Sequence, residues 1–250
     1  MANIAIDRDG SVTVVTLGTG TRANALGTPD WLALADAFFE LQDDESLGAV
    51  IIRGAGDYFS AGSDMREWID ADIEGVDASF AAMERALRAI ERTPVPVVAE
   101  IRGVAAGAGC QVALACDIRL MARSATIGMP IARLGILASP AFAARLISAA
   151  GPALARDLLY TGRLLRAETA LRCGLTSMCV DDELLAEATL KTIDRIVAQP
   201  PAAIRAAKRA VGEVIEPLRA MSAHNPNEHA VSFDDFRRGI GAFLDKTPPT

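Results

Sequence analysis

The chain is poor in histidine, cysteine and aromatics: 2 His, 4 Cys and 5% Phe, Trp and Tyr in 250 residues. Cys110, Cys116, Cys173 and Cys179 form no CxxC pair, and with His224 and His229 the only histidines a zinc site would need ligands that the spacing does not supply. No metal site is expected, and four reduced cysteines packed mainly in the core is the reading that the spacing supports. No run of Lys and Arg forms a patch, and a net charge of −7 gives nucleic acid no general attraction. No stretch reaches the roughly 18 apolar residues that a membrane span needs, and the opening MANIAIDRDGSV has no basic segment leading into an apolar run. A soluble, cytoplasmic protein with neither a nucleic-acid nor a membrane partner is expected. The middle of the chain also lacks a Pro-, Ser- or Gly-rich linker, which argues for one main domain with a helical tail.

What is present reads as alternating strands and helices. IAIDRDGSVTVVTL places Asp9-Gly10 between two β-rich runs, a hairpin signal. Thr28-Pro29-Asp30 supplies an N-cap, a first-turn proline and an early acid ahead of Trp31, Leu34, Phe38 and Leu41 on one helical stripe. GAVIIRG (residues 48–54) is a short apolar strand, Phe80, Met83, Leu87 and Ile90 mark a second helix, and TPVPVVAEIRG is another buried strand. DIRLMARSATIGMP gives two more short strands, and Ser139-Pro140 opens a helix with Phe142, Leu146 and Ile147 facing inward. From about Pro152 the signals are all helical, ending in a stripe of Ile204, Ala207, Val211, Val214 and Leu218 that suits packing on a neighbouring subunit. The class is α/β, and a strand–strand–helix unit recurs without a fixed sequence period.

Two glycine turns follow buried strands: Ala61-Gly62-Ser63-Asp64, and Gly107-Ala108-Gly109-Cys110 inside GVAAGAGCQVALACDIR. The second runs into a helix, whose first N–H groups lack intrahelical acceptors and suit a developing anion. It spells G-x-x-x-G-x-G, not the dinucleotide G-x-G-x-x-G, and no GK[ST] closes a phosphate loop. Two such turns converging on one carbonyl oxygen would make an oxyanion hole.

At RANAL (22–26), YFSAGSDM (58–65), VPVVAEIRGVAAGAGCQVALACDIR (95–119), LGI (134–136) and FRRGIGAFLDK (236–246), the chain resembles the crotonase superfamily, the enoyl-CoA hydratase/isomerase group. The landmarks come in order along nearly the whole chain. The resemblance implies a spiral core of ββα units binding a CoA thioester (residues 1–195). It also implies a helical C-terminal region (196–250) for oligomerisation and CoA contacts, giving a homotrimer or a dimer of trimers. Coenzyme A enters as part of the substrate, with no separate cofactor. The thioester oxygen would lie between the amides of Ser63 and Ala108, at the turn begun by Gly107. Arg22, Ala25, Leu26, Ala61, Asp64 and Met65 would line the pantetheine and adenine path, and Phe243 and Lys246 would reach the nucleotide of a neighbouring subunit.

The chain departs from the family's hydratases at the two positions where they carry glutamates, here Gln111 and Ile131. Glutamine orients a water or carbonyl but takes no proton near neutral pH, and isoleucine does neither. Family isomerases place a carboxylate where this chain has Ser139, for which an N-cap before Pro140 is the plainer role. Glu67 lies in a six-acid segment (64–77) that arches over the acyl pocket in the family; it is a candidate carboxylate, although a solvated helix face accounts for the segment. Trp68 and Met129 are pocket-lining candidates, and Asp117 reads as structural. Three readings result: an enolate-stabilising enzyme whose chemistry needs the oxyanion hole more than the glutamates, such as decarboxylation or thioester hydrolysis; a silent acyl-CoA binder; and an inefficient enoyl-CoA hydratase.

Overall fold

Asp9-Gly10 turns β1 (Ile4–Asp9) back on β2 (Val12–Leu17), Gly10 taking φ 58°, so that Asp9 pairs with Val12 and Ile4 with Leu17. The structure is a computed structural model that describes residues 3–220 and 229–245. β2 alternates half-buried and buried residues, whereas β1 is an exposed edge. β3 (Ala49–Gly54), β4 (Val97–Ile101), β6 (Ile118–Ala122) and β9 (Met178–Val180) continue the sheet in parallel, in the order β1-β2-β3-β4-β6-β9. The nearly unbroken apolar runs of β3 and β4 follow from burial on both faces.

A second, smaller sheet holds β5 (Val104–Ala106), β7 (Thr126–Gly128) and β8 (Leu164–Arg166), with β5 and β7 parallel and β8 antiparallel. Isolated bridges from Ser60 to Ala105 and from Leu26 to Ser63 extend its pattern toward the start of the chain. Each turn of the spiral thus contains a long strand, a short crossing segment and a helix: α1 (Thr28–Gln42), α2 (Ile73–Arg92), α3 (Ala108–Ala115) and α4 (Pro140–Thr161). This is the spiral α/β architecture expected from the resemblance. α5 (Ala167–Arg172) joins β8 toward β9, α6 (Leu185–Val197) covers β3, β4 and β6, α7 (Pro201–Ala220) leans on α4, and α8 (Phe233–Leu244) returns to the turn at Pro130–Leu134.

Several expectations need correction. β8 and β9 lie in the part of the chain that reads as wholly helical, although the helical segment read from Pro152 is there: α4 is interrupted at Gly151 (φ 78°, ψ 166°), and its second part starts at Pro152. Gly27, not Thr28, caps α1; Asp30 reaches back to accept from the Gly27 N–H at 2.9 Å and from the Asn3 N–H at 2.6 Å. Ile147 is exposed, while Phe142 and Leu146 are buried. On α7, Val211, Val214 and Leu218 point outward, Val214 at 78% exposure. Among the described residues no helix is long and apolar enough to cross a membrane.

Candidate active site

The site begins with a strained turn. Arg22, Ala23 and Asn24 all have φ near +50° (50°, 49° and 55°), a left-handed conformation that costs on the order of 1–3 kcal/mol for each residue without glycine's freedom. Buried Asn24 holds the turn: its Nδ2 donates to the carbonyls of Ala55 at 2.9 Å and Tyr58 at 2.6 Å, and its Oδ1 accepts from the Gly20 N–H at 2.9 Å. The loop after β3 is then laced to this turn. Ala61 donates to the Ala23 carbonyl, Leu26 to that of Gly62, and Asp64 to that of Leu26, each at 2.8 Å. The Ser63 N–H points away from this ladder and has no acceptor among the described residues.

The second glycine turn packs against the first. Gly107 adopts φ 55° and donates to the Gly128 carbonyl at 3.0 Å, after which α3 starts with Ala108 at its first position. The Gln111 N–H takes the Gly107 carbonyl at 3.1 Å, leaving the Ala108 N–H, like that of Ser63, without an acceptor among the described residues. Gly62, at φ 102°, lies so close that a Cβ there would stand 3.0 Å from the Ala108 nitrogen and 2.8 Å from the Ala106 carbonyl. A Cβ on Gly109 would meet the Ser60 carbonyl at 2.1 Å, so α3 approaches the first loop through bare backbone.

Ser63 and Ala108 both line a cavity of about 950 Å³. Its approach carries Arg22, Ala25, Ala61, Asp64, Met65 and Gly107, with Arg22 and Asp64 ion-paired at 2.5 Å. Leu26 does not line it; this side chain is fully buried in the core, and only its backbone serves the loop ladder. Phe243 lines the cavity of its own chain, and Lys246 lies outside the described residues.

The two positions of the family's glutamates have different surroundings. Ile131 is buried and forms part of the cavity wall. Gln111 is also buried but is not in the wall: its Nε2 lies 3.4 Å from Met129 Sδ, and its Oε1 accepts from Arg145 Nη1 at 3.4 Å. Arg145 in turn is ion-paired with Glu84 at 2.7 Å and Glu91 at 2.9 Å. Burial opposes the Arg145 charge, but hydrogen bonding and attraction from Glu84 and Glu91 outweigh it and hold the guanidinium above its ordinary pKa. Arg145 therefore stays charged with its charge already balanced, and a neutral amide fits beside it where a third carboxylate would be in excess.

Neither of the other candidate carboxylate positions reaches the cavity. Glu67 Oε2 accepts from the Thr28 N–H at 2.8 Å and so caps α1. Ser139 caps α4, its hydroxyl accepting from the Phe142 N–H at 3.3 Å. Trp68 lines the cavity, whereas Met129 lies behind the wall against Gln111. Asp117 binds the Val97 N–H and Lys208 Nζ, both at 2.7 Å, and His229 pairs with Asp77 at the surface; His224 lies outside the described residues. Burial in the core pushes the Cys110 thiol up to about 12 and raises that of Cys116, so neither is a nucleophile near neutral pH.

Two features escape a reading of the sequence as linear motifs. Phe142 and Met83 read as core positions but face the cavity together with Phe80 and Ile136. The Arg145 cluster carries one visible signal, an arginine three residues after Phe142 and one before Leu146, a charge on the inward face of α4.

The family model described as enoyl-CoA hydratase/isomerase matches residues 7–250. A curated relative from Mycobacterium tuberculosis (strain CDC 1551 / Oshkosh), named "Probable enoyl-CoA hydratase echA8", is 35% identical over 98% of this chain and 96% of its own length. The crotonyl-CoA hydratase of Syntrophomonas wolfei is 32% identical over 98% of this chain and 95% of its own. A crystal structure of an enoyl-CoA hydratase/carnithine racemase from Magnetospirillum magneticum superposes with a TM-score of 0.83 at 32% identity, covering 100% of this chain and 95% of that one. Fold, family model and relatives agree from end to end: the chain belongs to the enoyl-CoA hydratase/isomerase family.

Proposed function

We propose that this protein binds an acyl-CoA or enoyl-CoA thioester, holds its carbonyl oxygen between the Ser63 and Ala108 amides, and stabilises the enolate formed there. The observation that carries this reading is the pair of unpartnered N–H groups brought together across Gly62 at one cavity. Such donors act in a partly dry site, and losing one from an oxyanion hole typically costs about 10²–10³ in rate. Arg22, Ala25, Ala61, Asp64 and Met65 line the approach for the pantetheine and adenine, with the Leu26 backbone behind them. Exposed Arg66 and Arg133 add cations suited to phosphate.

The same site is a poor one for hydrating an enoyl group. Ile131 offers water no hydrogen bond, and Gln111 is covered by Met129 and tied to Arg145. Reactions that need the oxyanion hole more than a pair of carboxylates, thioester hydrolysis or decarboxylation, fit better. A second reading, an acyl-CoA binder without turnover, is favoured by the lack, among the described residues, of any buried carboxylate lining the cavity. Assembly into a trimer or a pair of trimers is part of the same proposal, supported by the outward apolar residues of α7.

The test incubates the protein in deuterated water with acyl-, enoyl-, β-keto- and malonyl-type CoA thioesters and follows their masses. Deuterium uptake at the α-carbon or loss of CO₂ identifies an enolate enzyme, and free CoA identifies a thioester hydrolase that uses the same two amides for a tetrahedral oxyanion. One thioester retained unchanged identifies a binder, and efficient crotonyl-CoA hydration contradicts the assigned roles of Gln111 and Ile131.

A further inference from the structure

Four of the chain's twelve aromatic residues, Trp68, Phe80, Phe142 and Phe243, line this one cavity. Three of them form a continuous wall: Trp68 and Phe80 stack with centroids 5.4 Å apart and planes at 15°, and Phe80 leans on Phe142 at 6.4 Å. Trp68 and Phe142 are buried, as are their lining neighbours Met83, Ile131 and Ile136, whereas the lining residues Arg22, Arg66, Arg133 and Arg163 are exposed. From this division we infer that the acyl group of the bound thioester is uncharged, apolar and longer than a two-carbon acetyl group, and that Phe142 and Ile131 select for it. The inference rests on the acyl-CoA reading above and adds to it the substrate class.

Charge decides against the alternatives. A terminal carboxylate carried to this wall would need a cation. The buried cation behind Phe142 is Arg145, already neutralised by Glu84 and Glu91, so the carboxylate would lie desolvated and unpaired. A quaternary ammonium would need open ring faces, but Trp68 is flanked by Phe80 and Phe236, and Phe80 by Trp68 and Phe142. The Trp68 indole nitrogen has no acceptor among the described residues and is itself fully covered, so it presents no donor to an oxygen on the acyl chain.

The probes are CoA and its acetyl, hexanoyl, adipyl and 5-trimethylammoniopentanoyl thioesters, with affinities measured by calorimetric titration. Each buried methylene tightens binding about fourfold, so hexanoyl-CoA, four methylenes longer, is expected on the order of 100-fold tighter than acetyl-CoA. Adipyl-CoA, with a carboxylate in place of the terminal methyl, is expected to bind about 100-fold or more weaker than hexanoyl-CoA. Phe142→Ala should shrink the hexanoyl-to-acetyl ratio about tenfold. If all five bind and either charged thioester equals or exceeds hexanoyl-CoA, or if acetyl-CoA does, the inference is overturned and the acyl-CoA reading stands. If none binds, CoA included, both fall.

Discussion

Ala108→Pro separates the proposed role of one amide from the fold that carries it. Ala108 is the first residue of α3, where the N–H has no intrahelical acceptor and proline's fixed φ is compatible with the helix. The helix therefore loses no hydrogen bond. The pyrrolidine Cδ takes the place of the one hydrogen that points from Ala108 toward the cavity. Losing a hydrogen bond to a neutral thioester oxygen costs about 0.5–1.5 kcal/mol, roughly two- to tenfold in affinity. If the protein turns the thioester over through an enolate, the loss of the same donor should reduce kcat about 10²–10³-fold, since the bond strengthens as charge develops on the oxygen. Urea unfolding establishes that the variant is folded, titration with hexanoyl-CoA gives the affinity, and Ala108→Ser, which keeps the amide, is the control. A folded Ala108→Pro protein with undiminished affinity and turnover would refute the two-amide site.

Other expectations address the remaining roles. Ile131→Glu, which puts a carboxylate in the cavity wall, should gain crotonyl-CoA hydration of about 10²–10⁴-fold, whereas Gln111→Glu, outside the wall and covered by Met129, should add nothing to it; loss of enoyl absorbance measures both, and no gain in a folded Ile131→Glu protein that still binds CoA would reject the correspondence of Ile131 with a family glutamate. Glu67→Ala should destabilise the protein by about 1 kcal/mol through the lost cap on α1, with hexanoyl-CoA affinity within about twofold of the original; a loss beyond about tenfold would return Glu67 to the site. The buried thiols make stability fall at alkaline pH. The folded-state pKa of Cys110 is raised from 9.0 to about 12, so its contribution is intact below pH 9 and is lost as the unfolded thiol ionises while the native one does not. Between pH 8 and pH 10 Cys110 alone accounts for about 1.4 kcal/mol of loss and buried Cys116 adds to it, so Cys110→Ala should cut the loss read from urea midpoints by about 1.4 kcal/mol without abolishing it.

Much of the architecture was legible because its determinants are local. Asp9-Gly10 sets its own turn, Gly62 sits where a positive φ and a close backbone approach are both required, and Gly107 where a positive φ is. β8 and β9 were not legible, since three residues cannot display a period of two and Met178–Val180 is only half-buried. Ile147 reads as inward on a straight helix, yet it is exposed while its neighbour Leu146 is buried. The identities at 111 and 131 were plain, but the reason for a neutral residue at 111 was not. Arg145 lies 34 residues further along, and its balancing partners Glu84 and Glu91 lie on α2. Glu67 likewise finds its acceptor role 39 residues away, at Thr28. Contacts that decide whether a side chain enters the cavity are set by tertiary packing, and no spacing within a motif records them.

The central claim is that a thioester oxygen is held by the Ser63 and Ala108 amides. Isotope-edited infrared difference spectroscopy of [1-13C]hexanoyl-CoA bound to the protein tests it most directly, because two hydrogen bonds to the carbonyl oxygen weaken the C=O bond. The account predicts a carbonyl band at lower frequency than in free hexanoyl-CoA, moved part of the way back in Ala108→Pro, where the Ser63 amide remains. A bound thioester whose carbonyl band stays at the frequency of the free ligand would contradict it.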